Sequence, residues 1–176
     1  MRRIQSIMMR SGQKKAPDAG VISVHMTIRQ YRDEDVESVA GLYTDTVRQV
    51  NIRDYSPEQV AAWAPQPPDL TRWRKRIAGL SFWVAESENR VIGFCGLGEN
   101  GYIDFLYVSS SFQRRGIGRQ LFEHVAAEAR RKGASRLTTN ASITARPFFE
   151  SMGFKVLREQ QVEVRGVTLR NYHMEK

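Results

Sequence analysis

The residues best suited to chemistry form a loop of seven, Gln-Arg-Arg-Gly-Ile-Gly-Arg, at positions 113–119. This glycine–arginine loop stands between an apolar run, 102–108, and a helical pattern. The first amides of a helix have no partner within the helix, and glycine lets a ligand approach the backbone closely. Arginine adds charge-assisted hydrogen bonds to phosphate. The loop therefore predicts a diphosphate site, with a basic, solvated strand-to-helix connection as the alternative.

One carboxylate interrupts the apolar run that precedes this loop. Asp104 is the only charged residue in 102–108, and strand alternation places it on the same face as Tyr102 and Leu106. Removal from water disfavours the charged form of a carboxylate, which makes it a stronger proton acceptor. We expect Asp104 to act as a general base. The alternative is a structural aspartate that is paired with a buried arginine or hydroxyl group.

The pattern of apolar residues predicts the elements that position these groups. Alternation and short apolar runs indicate strands, and apolar spacings of three and four indicate helices. The strands are expected at 27–31, 82–85, 91–97, 102–108, 136–139, 156–164 and 167–174. The helices are expected after the capping residues Asp33, Ser56 and Asp69, from the glycine–arginine loop to about Lys132, and over 144–152.

The connections between the predicted strands determine the type of sheet. The strand, helix and strand from 102 to 139 form a β-helix-β unit, in which the two strands run parallel. Turns at 87–90, 99–101 and 165–166 indicate antiparallel hairpins elsewhere. We therefore predict an α/β (α+β) fold with a twisted, mostly antiparallel mixed sheet, one central parallel pair and helices on both faces.

Composition limits the class of protein. The chain has 176 residues, a formal net charge of +8 and one cysteine, Cys95, so it has no intramolecular disulfide. We expect a disordered basic tail over 1–25, which carries half of the excess charge, and one domain over 26–176. The single cysteine fits a reducing compartment, so we expect a cytoplasmic protein. Because no apolar stretch reaches the roughly 20 residues of a membrane span, we expect no membrane partner.

Two motifs together resemble those of the GCN5-related N-acetyltransferases (GNAT). Gln113-Arg114-Arg115-Gly116-Ile117-Gly118 is similar to their Q/R-x-x-G-x-G/A signature, in the same setting of apolar strand, loop, amphipathic helix and strand. The stretch ARPFFESMGF, from Ala145 to Phe154, resembles their A-x-x-F-Y-E-x-x-G-F motif. The two motifs occur in the order typical of the family, and the resemblance covers 26–176.

The resemblance implies acetyl-CoA as acyl donor, a primary amine of a small molecule or peptide as acceptor, and direct attack in a ternary complex. It implies that the loop amides and arginines, Arg119 included, hold the CoA pyrophosphate. The backbone of Leu106, Tyr107 and Val108 would pair with the pantetheine arm in a gap between the two parallel strands. The family often places its base where Asp104 stands. Further CoA contacts are implied at Asn140, Phe148 and Phe149.

The sequence departs from the family pattern at one catalytic position. The tyrosine that usually serves as general acid is replaced by Phe149. Because a thiolate leaves more easily than an alkoxide, we expect a weaker dependence on an acid and not inactivity. Tyr107 or Tyr172 are the available substitutes. The replacement also keeps open a CoA-binding sensor without activity, and the net charge keeps open a nucleic-acid-binding module, which the charged tail makes the less favoured of the two.

The remaining candidates carry weaker signals. Three histidines and one cysteine show no metal-ligand spacing, so we expect no metal. Trp63 and Trp73 flank a proline-rich break at 65–68, in the region that lines the acceptor pocket of relatives. Both core packing and an aromatic substrate wall fit these two residues. The identity of the acceptor is not encoded in any motif, and a homodimer is possible.

Overall fold

Seven strands form one sheet in the order β1-β2-β3-β4-β5-β7-β6 in the computed structural model, which describes residues 25–176. The strands are β1 (Thr27–Gln30), β2 (Ser81–Ser87), β3 (Arg90–Leu97), β4 (Tyr102–Val108), β5 (Thr138–Ser142), β6 (Lys155–Val164) and β7 (Val167–Glu175). The tail predicted at 1–25 lies, apart from its last residue, outside the described residues.

Helices cover both faces of this sheet, as predicted. Within the described region they are α1 (Val36–Gln49), α2 (Pro57–Trp63), α3 (Leu70–Ala78), α4 (Ile117–Arg131) and α5 (Arg146–Ser151). The helices α4 and α5 pack on one face, and α1, α2 and α3 pack on the other. All neighbouring strands are antiparallel except β4 and β5, which confirms the predicted mixed sheet with one central parallel pair.

Two apolar cores, one on each face, hold the helices against the sheet. In α4, Ile117 and Leu121 are four residues apart and at most 2% exposed. On the other face, Val39 and Val47 of α1 and Phe94 of β3 are fully buried. Burial of each such side chain stabilises the fold by about 1.5–3 kcal/mol. The central strands are therefore held firmly between two helical layers.

Strand β5 does not lie where the sequence predicts it. It spans Thr138–Ser142 instead of 136–139, and its sequence, TTNAS, contains no apolar run. The strand forms because β7 pairs with it along its whole length, from Thr138–Glu175 to Ser142–Asn171. As a consequence, Asn140 lies in the middle of β5 and not at its end.

Helix α1 is not capped by Asp33, contrary to the prediction. Asp33 instead forms an ion pair with Arg74 of α3 at 2.9 Å. The carboxylate of Asp35 accepts a hydrogen bond from the Arg32 N–H, and its hydrogen bonds with the Arg29 guanidinium lower the pKa of Asp35. Asp35 thereby ties the start of α1 to β1.

The turn that leads into β4 gives a first testable prediction. Gly101 has a φ of 78°, and a Cβ at this position would overlap the carbonyl oxygen of Arg136, just before β5. Gly133 has a similar φ of 84°, but a Cβ there meets no atom within 4 Å. Left-handed backbone costs a non-glycine residue about 1–2 kcal/mol, and overpacking about 1–3 kcal/mol more.

We therefore expect Gly101→Ala to lower the free energy of unfolding by about 1–3 kcal/mol more than Gly133→Ala, because only the first adds a steric clash. Urea unfolding of both variants and the wild type measures the difference. Equal losses in the two variants would show that the β4 turn tolerates a side chain.

Candidate functional site

The glycine–arginine loop presents free backbone donors where β4 ends. Gly116 is the N-cap of α4, and left-handed φ angles of 61° at Arg114 and 80° at Gly116 turn the chain sharply. Within residues 25–176, the amides of 116–119 donate to no protein acceptor, and the first amide of α4 that does is that of Gln120, 3.1 Å from the Gly116 carbonyl. Free amides at a helix start, next to three arginines, are what an anion requires.

Strands β4 and β5 separate beside this loop. They pair only at Tyr102–Thr138 and at Ile103–Thr139. Beyond these positions, β4 runs to Val108 paired with β3, and β5 runs to Ser142 paired with β7. A gap therefore lies between the two parallel strands, with the loop at its β4 end.

The backbone groups of β4 point alternately to β3 and to this gap. Ser109 donates its N–H to a β3 carbonyl at 2.9 Å, and Tyr107, two residues earlier, has the same direction. Leu106 and Val108 therefore face the gap, and the Val108 carbonyl lies 3.4 Å from Nε2 of Gln113. The expectation that all three residues 106–108 offer backbone groups to a ligand in the gap is thus corrected for Tyr107.

A β-bulge at Asp104 decides which way the side chains of β4 point. Two successive residues of β3 pair with Phe105 and Ile103, so Asp104 has no partner of its own. A bulge reverses the alternation of side chains. Asp104 and Phe105 consequently face the same side of the sheet, together with Tyr102. The predicted shared face with Leu106 is wrong, because Leu106 packs on the α4 side.

Asp104 is engaged by an arginine that the sequence does not single out. The guanidinium of Arg76, on α3, lies 3.1–3.3 Å from both carboxylate oxygens and 4.1 Å from the centroid of the Phe105 ring. The Asp104 side chain is 18% exposed and that of Arg76 is 50% exposed. This geometry matches the paired aspartate that was the alternative to a free base. In the sequence, Arg76 is one of several charged residues on a helix, and no motif distinguishes it as a partner of Asp104.

A cavity of about 510 Å³ lies above Asp104 on the face of α1, α2 and α3. Its floor comes from both sides of the gap, with Asp104 from β4 and Asn140 and Ser142 from β5. Its walls are largely aromatic, and its edge carries charged residues. The aromatic residues are Tyr43, Tyr55, Trp63, Trp73, Phe105 and Tyr107, and the charged ones besides Asp104 are Asp69, Arg72, Arg76, Glu163, Arg165 and Arg170.

Hydrogen bonds connect two polar residues that line this cavity, Tyr102 and Asn140, to neighbouring side chains of β6 and β7. Nδ2 of Asn140 donates to the Tyr102 hydroxyl at 3.1 Å, while Oδ1 lies 3.1 Å from Nε2 of Gln160 and 3.0 Å from Nδ1 of His173. Because Oδ1 only accepts, Nδ1 of His173 carries the hydrogen. Asn140 therefore faces the cavity, and its predicted contact with CoA stays a prediction. Oδ1 of Asn171 is buried and meets no donor within the described residues.

The two phenylalanines of α5 take different positions. The ring of Phe148 is partly exposed, and its atoms lie 3.5 Å from a Cβ constructed on Gly118, which is also next to Val108. Phe149 is 3% exposed and packs against Phe154, with 5.2 Å between the ring centroids. Phe148 thus borders the loop and the gap, whereas Phe149 belongs to the core and supplies no hydroxyl.

The two tyrosines considered as acids lie on opposite faces of the sheet. Tyr107 lines the cavity, where burial raises its pKa well above the ordinary value, and its ring lies 4.8 Å from that of Tyr43. Tyr172 is buried on the other face, beneath the guanidinium of Arg146 at 4.6 Å. Only Tyr107 therefore shares a cavity with Asp104.

Metal-ligating clusters and membrane-spanning helices are both absent from the described residues. Within the described residues no group of three or more His, Cys, Asp or Glu side chains is placed to hold a metal ion. In the same part of the chain, each helix is too short or too polar to cross a bilayer.

Comparison with known proteins identifies the class to which this fold and site belong. The family model described as acetyltransferase (GNAT) domain matches residues 51–176. The N-acetyltransferase YafP of Escherichia coli, named as uncharacterized, is 35% identical over 150 residues, which cover 85% of this chain and 95% of YafP. The chain belongs to the GNAT family of acetyltransferases, as its two motifs predicted.

Solved structures agree with this assignment. A GCN5-related N-acetyltransferase of Rhodopseudomonas palustris superposes with a TM-score of 0.82 at 31% identity, covering 85% of this chain and 94% of that one. YncA of Salmonella typhimurium, a protein described as a putative acetyltransferase and solved with acetyl-CoA, has the same fold, with a TM-score of 0.64 at 22% identity, over 86% of this chain and 93% of that one.

Tyr55 links the cavity wall to the sheet and gives the second prediction. Its hydroxyl donates to the Arg170 carbonyl at 2.6 Å and accepts from the Ile143 N–H at 2.9 Å. Tyr31 is the matched control, because its buried hydroxyl has no partner within the described residues. We expect Tyr55→Phe to cost about 1–3 kcal/mol of unfolding free energy, since two backbone groups lose their partner.

Tyr31→Phe removes a hydroxyl without a hydrogen bond, so its unfolding free energy should equal or exceed that of the wild type. Denaturant unfolding of both variants tests the pair. A loss in Tyr31→Phe as large as in Tyr55→Phe would contradict the assignment of the Tyr55 hydrogen bonds as the stabilising contacts.

Proposed function

We propose that this protein transfers the acetyl group of acetyl-CoA to a primary amine by direct attack in a ternary complex. The observation that carries the proposal is the row of unpaired amides at 116–119, at the start of α4, beside the gap between β4 and β5, which opens onto the cavity. One side of the sheet thus offers an anion site, and the other offers room for an acceptor. The acetyl-CoA-bound YncA structure supports the choice of donor.

The donor would bind mainly through backbone groups. The pyrophosphate would accept hydrogen bonds from the amides of 113–119, while the guanidinium groups of Arg114, Arg115 and Arg119 neutralise its charge. The pantetheine arm would lie in the gap, where Leu106 and Val108 supply backbone partners and Phe148 supplies an apolar surface. With the pantetheine arm in this gap, the thioester of acetyl-CoA would lie at the cavity floor, next to Asp104.

The acceptor must lose a proton before it attacks. An alkylamine of pKa near 10.4 is protonated at pH 7, and making it neutral costs about 4.6 kcal/mol. Asp104 lines the cavity, and its ion pair with the half-exposed Arg76 is open to exchange, so we assign Asp104 the role of general base once Arg76 is displaced. Tyr107 lines the same cavity and stays protonated because its pKa is raised, so we assign its hydroxyl a hydrogen bond that stabilises the thiolate as it leaves as the anion. Acetyl-CoA itself supplies a thioester whose thiolate leaves readily.

Removal of loop charge should weaken donor binding. We expect Arg114→Gln/Arg115→Gln to raise the Kd for CoA by about 10-fold to 100-fold, the range for loss of charge-assisted hydrogen bonds. The matched control is Arg130→Gln/Arg131→Gln, which removes the same charge from the far end of α4. Calorimetric titration with CoA measures both. Unchanged affinity in the first variant, or no binding of CoA to the wild type, would refute the donor site.

Loss of the base should slow acetyl transfer. Thiol release from acetyl-CoA, measured with a panel of primary amines from pH 6 to 10, should be amine-dependent in the wild type. Asp104→Asn should lower kcat/KM by roughly 10²-fold to 10⁴-fold at pH 7. Glu99→Gln, an exposed carboxylate just before β4, is the control and should behave as the wild type. CoA binding without amine-dependent thiol release would instead identify a sensor, and equal turnover of Asp104→Asn would refute the base.

A further inference from the structure

The contact between Arg76 and Asp104 has the form of an occupied cation-binding site. The guanidinium of Arg76 meets both carboxylate oxygens at 3.1–3.3 Å and stands 4.1 Å above the Phe105 ring. A carboxylate beside the face of an aromatic ring attracts a cation through both charge and the ring quadrupole. The bulge at Asp104 makes this possible, because it places two consecutive residues on one side of the strand.

We propose that Asp104 and Phe105 form the subsite for the ammonium group of the acceptor, and that Arg76 is an internal competitor which the acceptor displaces. The inference deepens the proposed acetyltransferase function and rests on it for the identity of the ligand. It assigns the substrate class as primary alkylammonium ions with an apolar or aromatic body. It also assigns Arg76 a role in setting acceptor affinity.

Charge explains why the two cations exclude one another. Asp104 is the carboxylate of the cavity floor, and one carboxylate balances one cation. Of the other charged groups that line the cavity, Arg170 pairs with Glu159, the Asp69 carboxylate accepts the Arg72 N–H, and Arg165 donates to the Ala62 carbonyl. The remaining two side-chain charges, the Arg72 guanidinium and the Glu163 carboxylate, are opposite in sign and balance each other. An ammonium ion placed beside a paired Arg76 would meet uncompensated positive charge, so exchange is favoured over joint binding.

Exposure indicates which partner moves. The Arg76 side chain is 50% exposed on a nine-residue helix, whereas Asp104 is 18% exposed in the central sheet. An exposed ion pair contributes little to stability, so its exchange for another cation costs little.

The aromatic walls fit the body of such a ligand. Tyr43 and Trp73 meet edge to face at 4.9 Å, and Tyr55 and Trp63 do so at 5.1 Å. These pairs enclose the cavity above Phe105. A ring or alkyl chain attached to the ammonium group would be buried among them, which supports aromatic substrate contact for Trp63 and Trp73 in addition to core packing.

The test compares a cation with its neutral isostere on the full chain without acetyl-CoA. The probes are 2-phenylethylammonium and 2-phenylethanol, and binding is measured by NMR titration of the labelled protein. Arg76→Met keeps the length of the side chain and removes its charge. It should bind the ammonium probe about threefold or more tighter than the wild type, with unchanged affinity for the alcohol. Arg76→Lys retains a competing cation and should resemble the wild type.

Two controls complete the experiment. Arg74→Met removes an ion-paired arginine from the same helix, outside the cavity, and should leave both affinities unchanged. Asp104→Asn should abolish the preference for the ammonium probe over the alcohol. Arg76→Gln replaces Arg76→Met if the latter does not fold. Ammonium affinity that stays equal or falls in the uncharged Arg76 variants overturns the inference. Because no acetyl transfer is measured, that outcome leaves the proposed function standing, and failure of transfer leaves the subsite standing.

Discussion

The site depends on a parallel pairing that lasts for only two residues. Strands β4 and β5 are each held along their outer edges, by β3 and β7, so the sheet stays intact although its middle is open. Backbone groups along an unpaired edge inside a protein require partners. At Leu106, at Val108 and in the glycine–arginine loop, such groups face one continuous path. The open part of the sheet therefore leaves backbone groups that an extended, hydrogen-bonding ligand would pair with.

The bulge in β4 connects this path to the opposite face. Without the extra residue, Asp104 would alternate with its neighbours, and Phe105 would point away from it. With the bulge, the carboxylate and the ring stand together over the gap, within reach of Arg76. A backbone irregularity of one residue thus decides whether Asp104 and Phe105 face the same cavity.

The sequence predicts the parts of this structure that are encoded locally. The apolar run gives the strand Tyr102–Val108 at its observed bounds, and the capping residues Ser56 and Asp69 mark the helices that they begin. The sequence does not predict the features that depend on pairing with distant residues. Strand β5 has a polar sequence and exists because β7 pairs with it, and the bulge at Asp104 is visible only in the register with β3.

The same distinction separates the two halves of the site. The proposed donor site uses backbone amides at a helix start, which need only glycine and a turn, so a short motif at 113–119 suffices to encode it. The cavity proposed for the acceptor is lined by side chains of α1, α2, α3, β4, β5, β6 and β7, whose spacing in sequence has no period. Arg76 reaches Asp104 across 28 positions, on a helix that also carries Arg72 and Arg74, and of these Arg74 pairs with Asp33. We therefore expect relatives that share the signature to share donor binding, whereas the choice of acceptor depends on contacts between residues that are distant in sequence.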